Sequence, residues 1–249
     1  LSRFNLIYLF SLMKKIKQHK FTKIYDLQNS SRTSFYKRIL FPNLGSYKWS
    51  SSETTLPANE TKKEFDKKPV LERFDHQLKI SGLKTFHTLK PDFSWGCSNI
   101  DKLISKYNLS DYILLFPFCS EHLQQKKWPY YDQLIKLIKQ NHPNLKIVIA
   151  PGPDEIEKAK KLDAVSILKE DKAISISELA GLIKRSKFVV ANDTGPAHMA
   201  AHLNVKGLSL FGSHTTAYKV SIERENFKAI QVSDLKNLSA EKVFERLVL

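Results

Sequence analysis

Between residues 112 and 211, short and almost wholly apolar runs alternate with longer amphipathic ones. The apolar runs are 112–116 (YILLF), 146–150 (KIVIA), 165–168 (VSIL), 188–191 (FVVA) and 207–211 (GLSLF), and helical patterns fall between them at 129–141, 154–162, 176–185 and 196–203. A strand apolar on both faces must be covered on both, so this alternation predicts an α/β fold in which helices cover a parallel sheet on either side. Such sheets bind ligands outside the carboxyl ends of their strands, beside helix N-termini. The chemistry is therefore expected in the loops after Phe116, Ala150, Ala191 and Phe211.

Upstream the pattern is less regular. It predicts a helix over 4–19, a strand over 23–28, a polar turn and a second helix through Leu40, together one β-turn-α unit. Residues 47–69 are rich in Ser, Thr, Glu and Lys without periodicity and predict a long loop. Further helices are expected over 70–83, ended by Gly82, and over 98–107.

The two cysteines, Cys97 and Cys119, form no CxxC pair and lie in no cysteine-histidine grid, so a disulfide scaffold and a structural zinc site are both disfavoured. Forty Lys and Arg against 25 Asp and Glu give a net charge of +15. Only seven of the cations are arginine, and the lysines are scattered in pairs such as Lys14-Lys15 and Lys160-Lys161, which argues against a nucleic-acid stripe. The charge favours anionic partners, either phosphorylated small molecules or an anionic membrane surface. The chain opens on Leu1 with an apolar run, Phe4 to Met13, too short to span a bilayer. The absent initiator leads us to expect further sequence upstream.

The loop after 188–191 is the richest in chemistry: Asn192-Asp193-Thr194-Gly195-Pro196-Ala197-His198-Met199-Ala200-Ala201. Asp193 and Thr194 are capping types, Gly195 lets a ligand approach the backbone, and Pro196 suits a first helical turn. A helix N-terminus built this way offers free amides and a positive dipole end to a phosphate, with His198 as a further donor. The same residues also fit a plain capped helix with a core-facing histidine. Likewise Lys126-Lys127 fit a solvated pair, Asp154 a carboxylate favoured by a helix dipole, and Asp26 and Arg32 a turn cap and a surface cation. His214, after Gly212-Ser213, is either a contact to base or sugar or a solvent-exposed loop histidine.

The run Asn192 to Ala201, followed by a strand closing on Leu210-Phe211-Gly212, resembles the D-T-G-P-x-H-x-A-A … L-F-G signature of glycosyltransferase family 9, the ADP-heptose:lipopolysaccharide heptosyltransferases. Phe116-Pro117-Phe118-Cys119-Ser120 with Lys126-Lys127-Trp128-Pro129 is similar to the family's phosphate loop and K-x-W-P element. Ala150 to Glu155 resembles its G-x-[DE] turn, and Tyr25-Asp26-Leu27-Gln28 with Ser31-Arg32-Thr33 its D-L-Q-x-x-x-R strand and turn. The resemblance covers about residues 20–249.

It implies a GT-B-like architecture: an incomplete N-terminal, acceptor-side Rossmann-like domain over 1–106 and a C-terminal nucleotide-sugar-binding one over 107–249. Carried over, Ser120 and the amides of Thr194 and Gly195 would hold the pyrophosphate, and Lys126 would reach sugar or phosphate. Asp154 would bind the ribose, Asp193 the sugar hydroxyls and His198 the phosphates. The implied activity is an inverting, metal-independent transfer of a heptose-like sugar from an ADP-sugar to a lipopolysaccharide-core acceptor, without a cofactor, at the cytoplasmic face of the inner membrane. The family's opening strand and G-D-x-x-x-x-x-P loop, whose acidic residue is the expected catalytic base, match nothing before Phe21; either this member has replaced the base or, the favoured expectation, the chain is truncated and the base lies upstream of Leu1. The rival readings are a nucleotide(-sugar)-binding module without transferase activity and, more weakly, a basic nucleic-acid binder.

Overall fold

The computed structural model describes residues 6–19, 21–40 and 49–247; positions 4 and 5 of the expected first helix, and 47 and 48 of the expected loop, lie outside them. The chain divides into two compact units, Leu1–Leu89 and Lys90–Leu249.

The first unit carries α1 (Leu6–Gln18), β1 (Ile24–Tyr25), α2 (Ser31–Leu40), β2 (Trp49–Ser50), α3 (Lys62–Phe65) and α4 (Val70–Ile80). The two strands pair in parallel, Ile24 opposite Trp49. The stretch expected as one long loop, 47–69, carries β2 and α3, and what lies between them is irregular but packed at its start: Ser51, Ser52 and Thr55 are buried beside Ser50 of β2. Hydrogen bonds hold most of their polar groups, although Ser52 Oγ has no partner among the described residues. Gln77, 1% exposed, donates Nε2 to the carbonyls of Asp26 (3.0 Å) and Ser50 (3.1 Å), and Thr55 donates Oγ1 to Ser51 O (2.8 Å). Asp26 is a turn cap, its Oδ1 accepting the amides of Gln28 and Asn29, and Arg32 is exposed.

The second unit runs α5 (Asp101–Tyr107), β3 (Tyr112–Phe116), α6 (Tyr131–Asn141), β4 (Lys146–Ile149), α7 (Ile156–Ala159), β5 (Val165–Ser166), β6 (Leu168–Lys169), β7 (Lys172–Ala173) and α8 (Ile176–Arg185). It continues with β8 (Phe188–Asn192), α9 (Gly195–His202), β9 (Gly207–Phe211), α10 (Ala217–Val220), β10 (Phe227–Gln231) and α11 (Ala240–Phe244). Among the described residues a six-stranded sheet has the order β10-β9-β8-β3-β4-β5, every neighbouring pair parallel. Counted within the sheet, that is the 3-2-1-4-5-6 order of a dinucleotide-binding fold, with the order reversing between β3 and β8.

Alternation along β3 divides the core. Leu114 and Phe116 face one cluster with Val148, Val189 and the alanines of α9. Ile113 and Leu115 face the other, with Trp128, Ile135, Val190 and Val243. Helix α5 belongs to this unit, because Ile100 and Leu103 are buried against Leu114 and Leu182 and the Ser98 amide donates to Ser177 O at 2.9 Å. The unit boundary at 89/90 therefore precedes the expected division at 106/107.

Two expected elements are cut short. The helix expected over 154–162 is a single turn at Pro153–Glu155 followed by α7. The run 165–168 breaks at Ile167, and β6 turns back on β7 through Glu170 and Asp171, both left-handed (φ 51° and 58°), as a two-residue hairpin requires.

Candidate active site

The strand-order reversal opens a crevice at the carboxyl ends of β3 and β8, and the chain places its unusual residues there. After Phe116, Pro117 to Ser120 lead into a short 3-10 segment, Glu121–Lys126. Its end is anchored by Trp128, which is fully buried, donates its amide to Asn192 Oδ1 (3.1 Å) and its indole Nε1 to Leu238 O (2.7 Å), and meets Tyr131 edge-on. That anchor turns Lys126 inward, while Lys127 stays exposed.

Asp193 follows β8 and is 3% exposed. Three cationic or donor groups converge on it: Lys126 Nζ at 2.7 Å and His214 Nε2 at 3.0 Å from Oδ2, and His198 Nε2 at 3.4 Å from Oδ1. Burial alone would push this carboxyl up. The hydrogen bonds from His198, Lys126 and His214, with the lysine charge, outweigh burial and hold it well below the usual carboxylate range.

Thr194 is the extended N-cap of α9, its hydroxyl donating back to Asn192 O at 3.2 Å, which leaves the first amides of the helix aimed at the crevice. Among the described residues no protein group accepts from the amides of Thr194 or Gly195. A methyl built on Gly195 would meet nothing within 4 Å, so the fold itself does not require glycine there.

Beside this constellation lies a cavity of about 490 Å³. Its apolar walls include Phe116, Ile149, Ile174 and Leu179, and Ser120, Glu155, Ser175 and Thr194 supply polar groups. An apolar chamber ending in convergent donors is the general form of a site for a small ligand with one flat and one charged end.

Of the residues singled out in the sequence, Lys126 and His198 both meet Asp193, and Ser120 and Thr194 line the cavity. Asp154 stands apart: it is exposed and does not line the cavity. The neighbouring Glu155 does, with its Oε2 accepting the Gly152 amide at 2.8 Å to close the turn after β4. Sequence reasoning left His214 undecided. Its place after β9, in one of the loops the strand-end rule selects, was the available signal. It also missed the cavity wall Ile174 to Leu179, although Ser175 and Glu178 form a capping box that is readable as S-x-x-E.

The Campylobacter coli lipopolysaccharide heptosyltransferase 1 is 29% identical over 114 residues, which are 42% of this chain and 33% of that protein. The solved structure of E. coli heptosyltransferase WaaC with ADP superposes with a TM-score of 0.55 at 22% identity, covering 72% of this chain and 56% of that one. A glycosyltransferase family 9 protein from Veillonella parvula DSM 2008 superposes at 0.68 with 16% identity, covering 98% and 78%. The chain thus spans about a third of the curated relative's length and little more than half of the E. coli enzyme's. The family pattern described as glycosyltransferase family 9 (heptosyltransferase) matches residues 9–246. With that match spanning almost its whole length, the chain belongs to glycosyltransferase family 9.

Proposed function

We propose that the second unit is the donor half of a glycosyltransferase that moves a heptose-like sugar from an ADP-sugar to a lipopolysaccharide-core acceptor, with inversion and without metal or resident cofactor. The observation that carries the reading is the meeting of Lys126, Asp193 and His198 beside the open N-terminus of α9. In the transfer, an acceptor hydroxyl oxygen bonds to the anomeric carbon and the bond from that carbon to the phosphate oxygen breaks. The departing nucleoside diphosphate takes the electron pair, and the acceptor proton goes to a base that none of the donor-site residues supplies.

The donor half stabilises the leaving group. Lys126, His198 and the amides of Thr194 and Gly195 are fixed donors where negative charge develops, and one such donor is worth roughly 3 kcal/mol in comparable oxyanion sites. Asp193 orients Lys126 and accepts from sugar hydroxyls. The apolar cavity beside Thr194 suits the nucleobase, with Glu155 on its wall as the carboxylate for the ribose. ADP is the first nucleotide to test because the E. coli neighbour was solved with it. The +15 charge suits an anionic membrane face, where a lipid-borne acceptor would be met on the cytoplasmic side.

Calorimetric titration of the chain with ADP, UDP and GDP at moderate salt tests the reading. ADP is expected to bind selectively, and Asp193→Ala and His198→Ala to weaken it by about 1.5–3 kcal/mol, the range for a hydrogen bond to a charged group. A folded chain that binds none of the three nucleotides would overturn it.

A further inference from the structure

His214 follows β9 by three residues and turns back across the sheet end toward β8. There its Nε2 shares Asp193 Oδ2 with the Lys126 ammonium, at 3.0 Å and 2.7 Å respectively. The side chain is 7% exposed, and its ring lies nearly parallel to that of Phe211, the planes 11° apart. It does not line the cavity. An ionised carboxylate only accepts, so Nε2 carries the proton. The other ring nitrogen, Nδ1, is buried and has no hydrogen-bond partner among the described residues. A buried unpaired nitrogen is unfavourable, and an apolar ring would stack on Phe211 without it. What the imidazole alone contributes is the N–H on Asp193.

We propose that His214 is a positioning residue for the donor site. Its Nε2–H fixes the rotation of the Asp193 carboxylate, and the fixed carboxylate holds Lys126 at the mouth of the crevice. Lysine is a point charge on a four-carbon stem, so the place of its ammonium is set by the acceptor it meets. Asp193 Oδ2 is the nearest acceptor, with the Asp193 carbonyl farther off at 3.4 Å. His214 is the donor that shares this oxygen and, with the longer 3.4 Å contact of His198 to Oδ1, keeps the carboxylate from turning. The loops after β3, β8 and β9 are thereby tied at one oxygen. What the clamp serves rests on the donor-site reading above; the clamp itself is a property of the unliganded chain.

Three substitutions separate positioning from packing. Gln places its amide nitrogen near the Nε2 position, Asn reaches only the Nδ1 position, and Phe keeps the ring but donates nothing. Lys126 is probed by brief acetic anhydride labelling of the unliganded chain, read by peptide mass spectrometry. Lys126 is expected to be protected in the unsubstituted chain and in His214→Gln. It should acetylate about tenfold faster in His214→Asn and His214→Phe, the factor for loss of one hydrogen bond to a charged group. Equal labelling in all four chains, or a Phe variant as protected as the unsubstituted chain, overturns the proposal, as does failure of Gln to restore protection. ADP titration of the same four proteins distinguishes the two readings. If labelling follows the expected pattern but no nucleotide binds, the donor-site reading is lost and the clamp stands. If ADP binds equally well to all four while labelling is uniform, the clamp is lost and the donor site stands.

Discussion

Lys126 and Asp193, 67 positions apart in sequence, form a 2.7 Å ion pair across the point where the strand order of the sheet reverses. The carboxylate is 3% exposed and the lysine side chain 24%, so the pair sits at the edge of the protein's interior. A pair in that position is a weak source of net stability, because both groups gave up water to form it, yet breaking it from one side strands a buried charge. It couples the loop after β3 to the residue just before the N-cap of α9, the two places where the proposed donor site would grip a diphosphate.

That asymmetry gives a thermodynamic expectation. Lys126→Met should cost about 1–3 kcal/mol of stability, since it leaves Asp193 charged, buried and short of a donor. Adding Asp193→Asn to Lys126→Met should recover part of the loss, because the stranded charge is gone. Urea unfolding of both single variants and the double, with unchanged slopes, measures the coupling. Simple addition of the two single losses would show that the pair is not coupled.

The acid profile should fall in two windows. Burial, and after it the charge of the nearby Arg224, pushes His202 down to about 4. The unfolded chain binds its proton near the ordinary 6.5 while the folded chain stays neutral. Stability from this group is therefore complete above 6.5 and lost as the pH falls toward 4. Asp193 acts lower: its folded value lies below the ordinary 3.8, so its contribution is full at higher pH and is lost as the pH falls from about 4 downward. Chemical unfolding between pH 7 and 3 should show His202→Gln flattening the upper window only and Asp193→Asn the lower one only.

The parts of the fold legible in the sequence are those where burial alone decides. Every residue of β3, β8 and β9 is buried, so each reads as an almost wholly apolar run, interrupted by Ser209 and ended by Asn192, and a parallel sheet covered on both faces follows from their alternation with helices. Strand β10 was not legible, because at the sheet edge Lys228 and Gln231 are exposed and dilute the pattern. Strand β2 and the turn after it were not legible because hydrogen bonds from Gln77 to Ser50 and from Thr55 to Ser51 hold them, and these have no periodicity. In the site, capping chemistry marked Asp193 to His198 directly. The approach of His214 to Asp193 depends on how three loops converge, which spacing along one loop does not encode.

Gly195 and Gly181 should respond oppositely to the same change. An added methyl on Gly195 meets nothing within 4 Å, so Gly195→Ala should leave stability unchanged or raise it by up to about 1 kcal/mol, as alanine in a helical position does. On the proposed donor-site reading the methyl would occupy the space through which a phosphate approaches the helix amides, and ADP affinity should fall at least about tenfold, the lower end for one hydrogen bond to a charged group. On Gly181 the methyl would sit 2.5 Å from Ser98 O, and Gly181→Ala should destabilise by about 1–3 kcal/mol, as overpacking does. Thermal melts with and without ADP separate the two; a Gly195→Ala chain that binds ADP normally would remove α9 from the phosphate site.

The carboxylates after β4 divide structure from binding. Asp154 is exposed and away from the cavity, so Asp154→Asn should leave nucleotide affinity within error of the unsubstituted chain. Glu155 lines the cavity, and its Oε2 accepts the Gly152 amide at 2.8 Å, which holds the turn against the chamber wall. Glu155→Gln keeps an oxygen acceptor but removes the charge, so the turn should persist while any ribose hydroxyl bonded to the carboxylate loses a charge-assisted partner. Affinity for ADP should then fall about fivefold to tenfold, the difference between a charged and a neutral hydrogen bond, with little change in melting temperature. Adenine without ribose should bind both Glu155→Gln and the unsubstituted chain equally. If Asp154→Asn is instead the variant that loses affinity, the turn closes differently around the nucleotide and the ribose carboxylate is Asp154.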